Sequence, residues 1–307
     1  MKNTVWTNPF TVFLLAFLCC ALWGSAAPFI KFGYELFSID TSQTGQILQF
    51  AGARFAAAGI LVILVGSFVF KHALVPEKQD IVPVLVLAFF QTAGQYFFYY
   101  IGVAHTTGVS AAVITGTGAF IALLVAALVF RYEKLTMLKT AGCVLGFFGI
   151  WILNGMKTGS GFSVSGEGLV LVSQLFSAFS AAFIKLFSQK RNAVLLSGYQ
   201  FLAGGIMLSA IGIAMSPHST LTMNWQGGGI LFYLAFVSAA AYSMWSYLLK
   251  YNPISKIGMY ECWIPLTGVL WSAILLQEIS QALSWNTLIA LLCIILGIRC
   301  VNKEDTI

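Results

Sequence analysis

Apolar residues run along most of this chain in long stretches that short polar segments interrupt. About 20 consecutive apolar residues form a helix that can cross the hydrocarbon layer of a membrane, which is about 30 Å thick. On that criterion the pattern predicts ten transmembrane helices, approximately at residues 10–31, 46–70, 81–101, 108–130, 137–155, 167–187, 194–215, 228–249, 254–276 and 284–301. The predicted fold class is therefore an all-α integral membrane protein.

Composition supports the same class. The 307 residues are 59% hydrophobic and only 8% charged, whereas soluble proteins carry about 25% charged residues. A chain with so few charges cannot cover itself with a water-exposed surface, so the lipid bilayer is its main partner. The 6 cysteines show no CxxC or metal-ligand spacing, and we interpret them as small buried hydrophobic residues.

The distribution of Lys and Arg predicts the orientation, because cytoplasmic loops are enriched in these residues. If the N-terminus is cytoplasmic, the outer side holds only Lys31 and Lys157, and Arg54 lies inside a helix. The inner side then holds Lys2, Lys71, Lys78, Arg131, Lys134, Lys139, Lys185, Lys190, Arg191, Lys250, Lys256, Arg299 and Lys303. We therefore expect both termini on the cytoplasmic side of the plasma membrane. The net charge of +6 marks that face and not a nucleic-acid site.

The second half of the chain repeats the first. The sequence FIK ends predicted helix 1 at residues 29–31 and predicted helix 6 at residues 183–185. AGARFAAAGI at 51–60 aligns with SGYQFLAGGI at 197–206, an offset of 146, and Glu133 aligns with Glu278 at an offset of 145. Residues 1–155 and 156–307 are thus predicted to be two copies of a five-helix unit. Because five is odd, the second copy is inverted in the membrane, and inverted repeats are typical of secondary transporters.

Several local patterns resemble the EamA-like branch of the drug/metabolite transporter superfamily. They are ALWGSAAPFIK in helix 1, ARFAAAG in helix 2, the stretch from Val109 through Glu133 to Gly149, and IPLTGVLWSAILLQE followed by LGIRCVN in the second copy. The resemblance covers nearly the whole chain. Family members usually have a proline in helix 4 where helix 9 here has Pro265, and this chain has Phe120 at the aligned position.

This resemblance implies ten helices around a central cavity, and the export or exchange of small metabolites such as amino acids or drugs. It further implies that helices 1, 3, 4, 6, 8 and 9 line the route. Polar groups inside the membrane need a partner or a watery cavity, so the polar and aromatic side chains within the predicted helices are the candidate site residues.

Glu261 and Arg54 are the ionisable candidates. Glu261 lies about eight residues into predicted helix 9, four residues before Pro265, and a carboxyl group at that depth is a candidate proton carrier. The alternative is a structural carboxylate with a neighbouring partner. Arg54 lies about eight residues into helix 2 and aligns with Gln200 in the repeat. A guanidinium there can bind a carboxylate of the solute, snorkel outward, or pair with a carboxylate of the protein.

The remaining candidates are aromatic residues and amides, which suit a cavity for an amphipathic solute. Helix 3 carries a face with Gln91, Gln95 and Phe98, next to Tyr99, and helix 8 carries Ser238, Tyr242 and Trp245 at similar spacing. The other proposed solute contacts are Trp23, Gln174 and Trp263. Helix packing and interfacial anchoring are the alternatives, because aromatic stripes and glutamines also serve there.

Two features are assigned to structure first. Gly142, Gly146 and Gly149 form a small-residue face on helix 5, which predicts close packing against helix 10 or, alternatively, a homodimer contact. Glu133 and Glu278 lie at helix ends and are expected to fix those ends.

The predicted function is a secondary transporter, an exporter or exchanger, that moves a small organic solute such as an amino acid by alternating access. A passive channel or facilitator is the alternative. An enzyme is not expected, because the chain has no HExxH motif and no Ser–His spacing typical of a nucleophile with its base. No cofactor and no metal are expected, and the chain has no P-loop for ATP.

Overall fold

The computed structural model describes residues 4–131, 134–155, 162–217, 221–222, 224–252, 257 and 259–302. All regular secondary structure in these ranges is helical. The main helices are α1 (Pro9–Leu36), α2 (Thr44–Phe70), α3 (Lys78–Ala104), α4 (Gly108–Leu128), α5 (Met137–Gly155), α6 (Val164–Ser188), α7 (Ala193–Met215), α8 (Trp225–Tyr251), α9 (259–275) and α10 (Trp285–Asn302).

Several of these helices suit a lipid environment. Within the described residues, 7 helices are long and apolar enough to cross a membrane, and Met137–Leu153 and Trp285–Val301 are shorter apolar helices. Large apolar side chains face outward from them, such as Phe68 with 85% of its surface exposed and Leu64 with 62%. Water does not tolerate a continuous apolar exterior of this size. The chain is therefore an integral membrane protein.

One helix end lies well beyond its predicted position. The predicted end of the first helix at Lys31 is wrong, because α1 continues to Leu36 with Pro28 inside it. The Tyr34 hydroxyl donates to the carbonyl of Tyr100 at 2.8 Å, which holds this last turn against α3. In α9 the described part begins with a 3₁₀ turn at Met259–Cys262, which contains Glu261, and continues as an α-helix from Trp263. The predicted start of this helix at 254 lies outside the described residues.

Helices α3 and α4 are irregular in the middle. Residues Ala88–Gly94 of α3 form a π-helical segment, and α4 is interrupted between Thr115 and Gly118. The Thr117 hydroxyl donates to the carbonyl of Ile114 at 2.7 Å at this break. No proline is needed for the interruption, since Phe120 occupies the aligned position and packs against Gly146 of α5.

Helices α2 and α7 pack backbone against backbone. A Cβ atom added to Gly52 would lie 2.7 Å from the carbonyl oxygen of Gly205, and one added to Gly59 would lie 2.7 Å from that of Gly198. Gly45 and Gly212 oppose each other in the same way, at 2.7 Å in both directions. We call these six residues the glycine seam. Its spacing of seven residues on each helix keeps the small residues on one antiparallel contact face.

Helices α5 and α10 form a second close pair. A Cβ atom at Gly142 would lie 2.7 Å from the carbonyl oxygen of Gly297, and one at Gly149 would lie 2.9 Å from that of Ala290. Gly146 contacts the ring of Phe120 in α4. The small-residue face of α5 thus packs within the molecule, against α10 and α4. Elsewhere in the bundle, α1 packs against α8 and α9, and α6 packs against α3 and α4.

Hydrogen bonds and one ion pair between helix ends define two faces of the bundle. On the N-terminal face, Asn252 donates to the carbonyl of Trp6 at 2.9 Å, and Arg191 pairs with Asp80 at 3.3 Å. These contacts tie the end of α8 to the N-terminus and the start of α7 to the start of α3.

On the opposite face, carboxylates hold the loops. Glu278 accepts hydrogen bonds from the backbone N–H groups of Gly108 and Val109, at 3.1 and 2.8 Å, so it caps the start of α4. Glu167 accepts from the hydroxyl of Thr106 at 2.7 Å. Glu133, the aligned counterpart of Glu278, lies outside the described residues.

Candidate functional site

Three aromatic side chains from α1 and α8 meet inside the bundle. The ring of Trp23 packs edge-on against Tyr242 and Trp245, with centroids 5.2 and 5.0 Å apart. Tyr242 and Trp245 share a face of α8 because they are three residues apart. The indole Nε1–H of Trp23 is buried and has no hydrogen-bond acceptor among the described residues.

The hydroxyl of Tyr242 is the link from α8 to α3. It lies 3.0 Å from the hydroxyl of Tyr96, and the side chain of Gln91 is next to it. A π-helix has more residues per turn than an α-helix, so the π-helical segment of α3 aligns residues five apart in sequence. Gln91 and Tyr96 can therefore reach the same phenol.

Gln95 and Tyr99 lie on the next turn of α3, and both are buried. The Gln95 Oε1 atom has no hydrogen-bond partner among the described residues. The Tyr99 ring packs edge-on against Tyr96 at 6.0 Å, and its hydroxyl lies next to Thr115 at the break in α4. Phe98 does not share this face, because its ring packs against Phe176 of α6 at 5.3 Å.

Arg54 lies beside this aromatic cluster and is 2% exposed. Its Nε donates to the carbonyl of Leu234 at 3.1 Å, Nη1 to the hydroxyl of Tyr100 at 2.7 Å, and Nη2 to the hydroxyl of Ser238 at 3.1 Å. The guanidinium carbon also lies 5.8 Å from the ring centre of Tyr96. Arg54 therefore joins α2 to α3 and α8.

Glu261 and Trp263 occupy a different part of the interior, nearer the N-terminal face along α1. Trp263 packs edge-on against Phe17 at 5.1 Å, and the thiol of Cys20 lies 3.2 Å from the carbonyl of Tyr260. Glu261 makes no hydrogen bond and no ion pair with any residue that the structure describes. Glu261 has no hydrogen bond with the aromatic cluster, and Trp263 has no ring contact with it among the described residues.

Gln174 is also separate from the aromatic cluster. It is buried on α6, where its Nε2 donates to the hydroxyl of Ser173 at 3.0 Å. A Cβ atom at Gly118 would lie 2.7 Å from the Gln174 Oε1 atom, so this amide faces the break in α4. The structure thus brings Trp23, Gln91, Tyr242, Trp245 and Arg54 together around Tyr96.

Tyr96 and Tyr100 are the central residues that the site prediction omitted. Tyr96 makes ring contacts with Phe55, Tyr99 and Tyr100 as well as its bond to Tyr242. The internal repeat held a signal for it, because Tyr96 aligns with Tyr242 at the offset of 146. Tyr100 had no such signal, since its role depends on the long-range contact with Arg54.

Comparison with known proteins identifies the family. The EamA-like transporter family matches residues 10–155 and again residues 164–303. The chain belongs to the EamA-like transporter family. The expected family is therefore confirmed, and this transporter contains two segments that match the same family description.

Curated relatives of this EamA-like protein are named as transporters. An uncharacterized transporter of Archaeoglobus fulgidus is 25% identical over 294 residues, which cover 94% of this chain and 97% of the relative. A probable amino-acid metabolite efflux pump of Escherichia coli is 28% identical over 280 residues, covering 86% and 87%.

The fold of this EamA-like protein resembles a solved structure. That structure, titled "Crystal structure of protein", is 16% identical and superimposes with a TM-score of 0.66 over 95% of this chain and 96% of the other. At this identity the likeness concerns the fold alone.

Proposed function

We propose that this protein is a secondary transporter, an exporter or exchanger, that moves a small organic metabolite such as an amino acid across the plasma membrane by alternating access. The family match supports the transporter class. The relative in Escherichia coli, named for amino-acid metabolite efflux, supports the solute class.

The proposal includes two inverted five-helix repeats, at residues 1–155 and 156–307, with ten membrane-spanning helices. The two separate family matches support two copies. Hydrogen bonds between the halves also agree with the offset of 146. Arg54 donates to Ser238, and the aligned residues Gln200 and Thr92 are hydrogen-bonded at 2.5 Å.

The observation that carries the proposal is the bond between Tyr96 and Tyr242. These residues align with each other at the same offset, so their contact at 3.0 Å lies where a two-fold axis relating the halves would pass. Each half contributes the same residue type to one buried site. Two near-equivalent halves around a single site can exchange conformations and expose that site to either side of the membrane.

Orientation and assembly stay predictions. The excess of Lys and Arg supports cytoplasmic termini. A homodimer would have to use a surface other than the small-residue face of α5, since Gly142 and Gly149 already pack against α10. The expectations of no cofactor and no nucleic-acid partner are part of the same proposal.

Glu261 is proposed as the proton-coupling residue. Its carboxyl group is in a half-buried 3₁₀ turn and has no described hydrogen-bond or ion-pair partner. A carboxyl group without a fixed cationic partner can take up and release a proton as its exposure changes during transport. Gln174 and Trp263 are kept as candidate solute contacts on the sides of the route formed by α6 and α9.

Counterflow in proteoliposomes tests the function. Vesicles loaded with an unlabelled amino acid mixture and diluted into a trace of labelled amino acids should show transient uptake above equilibrium, with saturable initial rates. Uptake that neither saturates nor overshoots would favour the passive channel or facilitator. Empty vesicles and vesicles with heat-inactivated protein are the controls.

A further inference from the structure

Arg54 carries more hydrogen-bonding capacity than the protein uses. A guanidinium group has five N–H donors in a planar fork. The described acceptors are three, namely the Leu234 carbonyl and the hydroxyls of Tyr100 and Ser238. One N–H on Nη1 and one on Nη2 therefore remain, and a guanidinium group can bind a carboxylate with two parallel hydrogen bonds.

The positive charge of Arg54 is also unbalanced. All three acceptors are neutral, and none of the described carboxylates forms an ion pair with this guanidinium. Aromatic rings partly stabilise the positive charge, since the guanidinium carbon lies 4.8 Å from the ring centre of Phe55. Burying an ion without a counter-ion costs several kcal/mol, and intramembrane charges of this kind usually serve a function.

Helix packing does not require this charge. The aligned residue of the second half, Gln200, joins α7 to α3 through its bond with Thr92, as Arg54 joins α2 to α8 through Ser238. A neutral amide is therefore sufficient for the equivalent link. The presence of a charged guanidinium at this position in the first half therefore needs another explanation.

We propose that Arg54 binds the carboxylate of the transported solute and so restricts transport to carboxylic acids, either anionic or zwitterionic. This inference rests on the proposed transport function. The carboxylate takes the two remaining N–H donors, and the apolar part of the solute packs against the rings of Tyr96, Tyr242 and Trp23. A solute with an amine and no carboxylate is repelled by the same buried charge.

The test compares three probes that share one carbon skeleton: 3-phenylpropionate, 3-phenylpropionamide and 3-phenylpropylamine. Thermal unfolding of the purified full-length protein in detergent measures the dissociation constant of each probe from its stabilising effect. The acid should bind about 10- to 100-fold more tightly than the amide, as expected for charge-assisted hydrogen bonds. The amine should bind most weakly.

Substitutions then assign the preference to one residue. Arg54→Gln should make the acid and the amide bind equally, whereas Gln200→Leu, which breaks the matching link in the other half, should keep the preference of the wild type. Arg54→Lys keeps the charge but not the fork, so it should retain a reduced preference for the acid. This variant and the wild-type ranking decide the question if Arg54→Gln does not fold.

Three results would overturn the inference: no stabilisation by the acid, equal binding of acid and amide to the wild type, or an unchanged acid preference in Arg54→Gln. The proposed function fails separately, if no solute shows counterflow in proteoliposomes. Exchange of amines or amides, without exchange of acids, would refute the role of Arg54 and leave the transporter intact.

Discussion

The two halves of this protein make the same contacts with different chemistry. Arg54 bonds Ser238, and its aligned residue Gln200 bonds Thr92. The glycine seam is likewise reciprocal, because Gly52 opposes Gly205 as Gly59 opposes Gly198. Backbone packing is thus nearly symmetric, and charge is not.

The polar groups of the site show the same difference. At the offset of 146, Gln91 and Gln95 in α3 align with Val237 and Ala241 in α8. At the offset of 145, Glu261 aligns with Gly116 at the break in α4. Repeated backbone contacts position the helices, whereas the side chains that we propose for binding and coupling are not repeated.

The largest effect should come from disrupting the symmetric contact. Gly205→Leu places a side chain where a Cβ atom alone would already lie 2.8 Å from the carbonyl oxygen of Gly52. We expect loss of folded protein, and a loss of about 1–3 kcal/mol in the free energy of unfolding for Gly205→Ala. Size-exclusion chromatography and thermal unfolding in detergent measure both effects.

Gly229→Ala is the matched control for the seam. This glycine is also in a helix, α8, but a Cβ atom there has nothing within 4 Å. The free energy of unfolding of the Gly229→Ala protein should be unchanged or raised by roughly 0.5–1 kcal/mol, because alanine favours the helical conformation more than glycine does. Equal destabilisation by Gly205→Ala and Gly229→Ala would show that the seam is not a close contact.

The coupling of proton movement to solute transport should depend on Glu261, which lies in the second half and has no acidic counterpart in the first. Glu261→Gln should abolish proton movement linked to solute transport and leave solute exchange measurable, because the amide cannot release a proton. The measurement is internal pH in proteoliposomes alongside counterflow. A mutant that moves protons with the stoichiometry of the wild type would refute the assignment of Glu261.

Gln95 should affect binding more than folding. Its Oε1 atom is buried without a described partner, so Gln95→Ala removes an unsatisfied acceptor and makes this position like Ala241. We expect little change in the unfolding temperature of the free protein, and a dissociation constant for the solute that is about tenfold higher. Equal stabilisation of mutant and wild type by a transported solute would argue against a binding role.

The smallest expected effect is the loss of stability when the hydroxyl of either tyrosine on the proposed axis is removed. Tyr242→Phe removes a hydroxyl that bonds Tyr96 and lies next to Gln91, whereas Tyr96→Phe leaves the Tyr242 hydroxyl beside Gln91. We expect a loss of about 1 kcal/mol for Tyr242→Phe and about half of that for Tyr96→Phe, each read from thermal unfolding. The reverse order would mean that the hydroxyl of Tyr96 has the more important partner.

Much of the helical layout follows from the sequence, because a lipid-spanning segment must be long and apolar whatever its neighbours are. Residues 137–155 illustrate this, since the predicted and observed α5 coincide. The sequence did not predict the extension of α1 past Lys31, because this extension depends on the contact between Tyr34 and Tyr100. These two residues are far apart in the sequence.

The site was predicted in part. The spacing of Ser238, Tyr242 and Trp245 placed them on one face of α8, and all three contact site residues. The π-helical segment of α3 could not be predicted, since its hydrogen-bond pattern is selected by packing and not by a local motif. That segment turns Phe98 towards α6, away from the face that the α-helical period indicated.

The inverted arrangement of the two halves is tested most directly by finding on which side of the membrane each of two aligned positions lies. Lys71 and Pro217 are both exposed and lie 146 residues apart at the ends of α2 and α7. In a cysteine-free background, a membrane-impermeant maleimide should label Pro217→Cys in intact cells and Lys71→Cys only after permeabilisation. Labelling of both from the same side would contradict the inverted arrangement of the two halves.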